Sequence, residues 1–194
     1  MLIPLRNYSN YSICESNIKI DDLVNFAEKE KLPAMALTDY KLLSGVLEFS
    51  TKCKKKGIQP IIGLDVDYIS KLKHKSRLTF LCKNEIGFKN LNILSTKINT
   101  ENEFHLSLDN INNFSEGNIL ILGGLFSYFQ DLNINTNNLK TILDEINALK
   151  NFFKKDIFFE FDENLDNKPL NEISKKSEIN SFLSSFSFYK QDRD

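Results

Sequence analysis

The chain has 194 residues, of which 41% are hydrophobic and 26% charged, the balance of a soluble globular protein with one domain or two small ones. A net charge of −1 argues against direct, tight binding of nucleic acid or of an anionic membrane by bulk electrostatics. Three widely spaced cysteines, Cys14, Cys53 and Cys82, form no CxxC pair, which argues against a disulfide framework or zinc ribbon and fits free thiols in a reducing compartment.

The opening MLIPLRNYSNYS lacks the regions of a signal peptide, and no later apolar run approaches the ~18 residues of a membrane-spanning helix, so the reading is cytoplasmic with no membrane partner. Residues 2–5 are a candidate first strand. Ile20-Asp21-Asp22 opens a helix with Leu23, Val24, Phe26 and Ala27 at helical spacing and acids in the first turn, ended by Leu32-Pro33. Residues 34–37 read as a short buried strand, followed by the loop Thr38-Asp39-Tyr40. Residues 45–56 form a second amphipathic helix stopped at Gly57, and residues 58–66 the next strand. Asp39 and Asp65 therefore stand at strand C-termini, where α/β proteins place ligands.

Further strands are expected over 77–82, 118–122 and 157–161, and helices over 87–99 and 138–153. From Asp162 the pattern fades into a serine-rich tail carrying Phe182, Phe186 and Phe188. The alternation predicts an α/β barrel or an open parallel sheet, with one domain over 1–161 and a divergent tail over 162–194.

The segments LRNYSNYS, LVNFAEKEKLPAMALTDY, LSGVLEFSTKCKKKGIQPIIGLDVDY, LTFLCKNEIGFKNLNILST and NILILGGL resemble, in order and spacing, the N-terminal polymerase-and-histidinol-phosphatase (PHP) domain of bacterial DNA polymerase III alpha subunits. The resemblance implies a distorted (β/α)7 barrel, here incomplete. It also implies that active relatives hold three metal ions through His-x-His, an acid, Thr-Asp-His and Gly-x-Glu motifs and later ligands. The corresponding positions here are Arg6 and Tyr8, Glu15, Asp39 and Tyr40, and Asp65; imidazole is missing at all three histidine positions. A metal cluster needs convergent N and O donors, and a guanidinium or phenol is a poor replacement. These six positions are thus expected to be vestigial, with no metal, no cofactor and no catalytic residue.

Other readings stand beside this one. Asp39 reads as a turn acid that caps a helix or bonds the loop backbone, Asp65 as a solvated strand-end acid, and His74 and His105 as surface residues. Lys52 and Lys54 to Lys56 read as a solvated helix end, and Gly123-Gly124 as a tight turn. The expected function is that of the PHP region of a replicative polymerase alpha subunit, a DNA-directed DNA polymerase (nucleotidyltransferase) by resemblance. This segment lacks the polymerase's catalytic aspartates. It is expected to act as an inactive structural module that docks the proofreading exonuclease (epsilon) subunit and the rest of the polymerase III holoenzyme. The alternatives are a metal-dependent PHP phosphoesterase or 3′–5′ exonuclease with a reduced site, and a regulator that reuses the fold.

Overall fold

The structure, a computed structural model, describes residues 3–124, 127, 136–162 and 168–184. Helix α1 (Ile20–Lys29) has Asp21 and Asp22 in its first turn and Lys29 in its last, and buries Ile20, Leu23, Val24 and Ala27. It ends where Lys31 takes a positive φ of 54°, with Leu32 N donating to Ala27 O at 2.8 Å. Strand β1 (Ala34–Leu37) is wholly buried. Helix α2 (Val46–Lys55) closes in the same way, Gly57 adopting φ 71° and Ile58 N donating to Cys53 O at 3.0 Å. Leu23, Val24, Met35, Leu37, Phe49 and Cys53 form the core between these helices and β1.

Strand β2 (Gln59–Ile69) pairs parallel with β1 and antiparallel with β3 (Lys75–Cys82). This corrects the expected end of the strand at Val66 and the all-parallel sheet: β2 and β3 join through a hairpin, with no crossover helix to reverse the chain. Helix α3 (Glu85–Thr100) is capped by Asn84, whose side chain accepts from Gly87 N. A two-residue strand β4 (Leu106–Ser107) pairs with β2, and a short 3₁₀ helix spans Ile111–Phe114. Strand β5 (Asn118–Gly123), helix α4 (Thr136–Phe153) and strand β6 (Ile157–Asp162) follow. Beyond Asp162, where the sequence offers no clear pattern, the chain adds helix α5 (Lys168–Ser177) and strand β7 (Ser181–Ser184). Phe186 and Phe188 lie outside the described residues.

The sheet order is β1-β2-β3-β5-β6-β7, with β4 beside β2. The sheet curls into an incomplete barrel: Ala36 on β1 and partly buried Phe182 on β7, at opposite ends of that order, join one cluster with Leu81 and Ile121. No first strand forms over Ile3–Leu5. The segment instead runs beside β1, with Ala36 N donating to Pro4 O at 3.0 Å and Thr38 N to Asn7 O at 2.9 Å.

Side chains alternate across each strand. One face presents Leu64, Val66, Leu78, Phe80, Leu120, Leu122 and Phe159 to α3, α4 and α5. The opposite parity turns inward. At one end of the barrel it carries Ala36, Ile61, Leu81 and Ile121; further along the same strands it carries Asp65, Thr79 and Arg77, with Glu160 on β6. The apolar end packs the interior, and the polar end forms the candidate site.

Candidate functional site

Arg6 and Tyr8 enter the barrel because Asn7 between them is held as a strand residue would be. Asn7 N donates to Thr38 Oγ1 at 3.1 Å and its side-chain amide to Ala36 O at 2.9 Å. Arg6 Nε lies 3.1 Å from Glu160 Oε2, and neither side chain is exposed. Burial opposes the charge on Arg6, but the carboxylates of Glu160 and Asp65 outweigh it and keep the guanidinium protonated. Ser184 on β7 donates to the other oxygen of Glu160 at 2.5 Å.

Asp65 is not the solvated strand-end acid expected from the sequence. It is 0% exposed and lies within β2, which continues four residues past it to pair with β3. Its Oδ2 accepts from Tyr8 OH at 2.9 Å and its Oδ1 from Thr79 Oγ1 at 2.7 Å. Burial pushes its carboxyl above the usual range, while Arg6, Thr79, Arg77 and Tyr8 pull it back. Burial and Asp65 together push the Tyr8 phenol well above its usual value, so Tyr8 stays a donor.

Asp39 lies just past β1 and bonds the first loop, as its turn-acid reading anticipated. Its Oδ1 accepts from Ser9 N at 2.6 Å and Ser12 Oγ at 2.7 Å, and its Oδ2 from Ser9 Oγ at 2.7 Å. Burial raises this carboxyl, and the Ser9 and Ser12 bonds offset part of the rise.

Glu15 pairs with Arg77 through both oxygens, one contact at 2.8 Å and a shorter one to Arg77 Nη2. Arg77 stacks 3.8 Å above the centroid of the Tyr40 ring. Tyr40 OH donates to Asp67 Oδ2 at 2.6 Å, and Lys41 and Lys75 reach the same oxygen at 2.7 and 3.1 Å.

The structure thus brings all six sequence-selected positions, Arg6, Tyr8, Glu15, Asp39, Tyr40 and Asp65, to one end of the barrel. His74 and His105 are exposed. Gly123 and Gly124 adopt positive φ values of 100° and 77° at the end of β5, and a Cβ on Gly123 would lie 2.4 Å from Glu160 O. Sequence reasoning missed Thr79, Arg77, Asp67 and Glu160. The available signals were an arginine and a threonine at alternate positions in SRLTFLC, and a lone acid in IFFEF. Among the described residues, no group of three or more His, Cys, Asp or Glu side chains is placed to hold a metal ion, and no helix is long and apolar enough to cross a membrane.

The PHP domain family matches residues 4–164. The DNA polymerase III subunit alpha of Chlamydia pneumoniae is 36% identical over 172 residues, covering 81% of this chain and 14% of that protein. The corresponding subunit of Borreliella burgdorferi is 30% identical over 197 residues, covering 90% of this chain and 17% of that protein. The chain therefore matches less than one fifth of the length of these relatives. An amidohydrolase from Chromobacterium violaceum has the same fold, with a TM-score of 0.62 at 11% identity, covering 99% of this chain and 89% of that one.

Proposed function

The chain belongs to the PHP domain family, and from that premise we propose that it is the PHP region of a replicative DNA polymerase alpha subunit, serving DNA replication in the cytoplasm as a catalytically inactive structural module and a docking platform for the proofreading exonuclease subunit. The likeness to two polymerase III alpha subunits supports the assignment and the place in that holoenzyme. The docking role follows from what that resemblance implies. The 194 residues alone are not expected to extend a primer.

One observation carries the inactive reading: every oxygen of the carboxylates at the family's metal positions already accepts a hydrogen bond from a protein donor. Asp65 accepts from Tyr8 and Thr79, Asp39 from Ser9 and Ser12, and Glu15 from Arg77. A metal ion would have to displace these donors and sit beside the buried Arg6 guanidinium, 3.1 Å from Glu160. Cation repulsion and the loss of several buried hydrogen bonds both oppose that. The residues present do not fit the family's metal cluster.

The test has two arms. Sedimentation velocity with the exonuclease subunit is expected to show a complex. The chain alone, with Mn²⁺, is expected to turn over neither 3′-labelled single-stranded DNA nor a phosphomonoester. Turnover that requires Mn²⁺ and is abolished by Asp65→Asn would favour the phosphoesterase or exonuclease alternative. No complex with the exonuclease subunit would remove the docking role.

A further inference from the structure

Arg77 stands at none of the family's motif positions, yet it touches three of the six residues that do. Its Nη1 and Nη2 fork onto the two oxygens of Glu15, and its Nη1 also lies 3.7 Å from Asp65 Oδ2. Its Nε lies 3.8 Å from Asp67 Oδ1, and its Cζ lies over the Tyr40 ring, 3.8 Å from the centroid. The side chain is 13% exposed. The elements that converge on it are the first loop, the loop after β1, and strands β2 and β3.

We propose that Glu15, Tyr40, Asp65 and Asp67 form a cation site selective for a planar guanidinium group, filled from within by Arg77. This rests on the reading above that protein donors occupy the family's metal positions, and it adds the chemical class of cation that the outer part of the site accepts. A two-oxygen fork matches the parallel N–H bonds of a guanidinium, and a phenol ring offers a face for stacking. A compact ammonium can lie over the ring, as Lys41 Nζ does at 4.6 Å from the Tyr40 centroid, but it cannot make the planar two-oxygen fork. The three carboxylates are spread around a group the size of a guanidinium, and they do not gather closely enough to make a metal-binding set. Lys41 and Lys75 also reach Asp67, on its Oδ2, leaving Oδ1 toward Arg77. The site therefore ties the first loop to β3 through a cation that the chain carries itself.

The experiment is cation rescue of Arg77→Ala in the full 194-residue chain, read by melting temperature. The substitution is expected to lower the melting temperature by roughly 5 °C or more. Millimolar methylguanidinium is expected to restore about half of the loss or more. Mn²⁺ and Na⁺ at matched ionic strength are expected to restore little, and the wild type is expected to respond to none of the three. Rescue by Mn²⁺ equal to or better than methylguanidinium would overturn the proposal, as would an Arg77→Ala chain as stable as wild type or one that no cation rescues. If Arg77→Ala does not fold alone, folding induced by methylguanidinium supports the proposal. If it does not fold even then, Arg77→Lys decides: a melting temperature well below wild type supports the fork and stack, and one equal to wild type overturns them. Wild-type chain that binds Mn²⁺ stoichiometrically would defeat the inactive-site reading itself, a separate outcome from failed rescue.

Discussion

Arg6 and Glu160 meet at 3.1 Å although one lies on the segment beside β1 and the other on β6, four places away in the order of the sheet. Only a curled sheet permits this contact, and the contact helps hold the curl. A buried pair of this kind is costly to break from one side, because the survivor is left as an uncompensated charge. Arg6→Met and Glu160→Gln should each lower stability by about 3–5 kcal/mol in urea unfolding. The double variant should cost clearly less than the two losses combined. Additive losses would mean that the two groups do not depend on each other.

Asp39→Ala should cost more than the ~0.5–2 kcal/mol of a lost helix cap. It leaves Ser9 N, Ser9 Oγ and Ser12 Oγ without their acceptor in a buried loop. Roughly 2–5 kcal/mol is expected, measured by denaturant midpoint at constant slope. A rise in stability in both Asp39→Ala and Asp65→Ala would instead identify the two as repelling carboxylates.

The stop of α2 at Gly57, the buried faces of α1 and α2 and the strand at 34–37 were legible in the sequence, because local periodicity and turn chemistry determine them, whereas the Asn84 cap that starts α3 two residues before the expected Gly87 was not. The β2–β3 hairpin was not. Its turn around Ser70–His74 is held by Ser70 N donating to His74 O at 3.0 Å and by Lys73 in a positive φ of 62°, without a glycine to mark it. The tail was illegible for a related reason: β7 is a four-residue edge strand whose register comes from β6. Motif positions located one end of the site, but Arg77 and Glu160 reach it only through strand pairing and sheet curl, which no local signal encodes.

Gly87→Ala tests the packing of α3. A Cβ there would fall 2.0 Å from Gly117 O, a backbone atom that a rotamer change cannot move aside. Despite the better helix propensity of alanine, a net loss of about 1–3 kcal/mol is expected from the forced shift. A neutral or stabilising result by thermal melting would show that the helix and the turn before β5 separate freely.

Acid should weaken the outer part of the site. Burial opposes ionisation of Asp67, but bonds from Lys41, Tyr40 and Lys75 outweigh it and hold the carboxyl below its usual value. Its folded pKa is therefore below its unfolded one. The stability it contributes is present above about pH 4 and is lost as pH falls through the folded value. Asp67→Asn should flatten the acid side of the stability profile, and an unchanged slope would contradict the assignment.

In the proposed function, protein cations and hydroxyl donors stand where the family holds metal, and metal content is the sharpest test of that arrangement. The chain is incubated with Zn²⁺ and Mn²⁺, dialysed mildly and subjected to elemental analysis alongside a metal-binding control. Well under one equivalent of either metal and an unchanged melting temperature in their presence are expected. Two or three equivalents per chain, lost on Asp65→Asn, would contradict that arrangement.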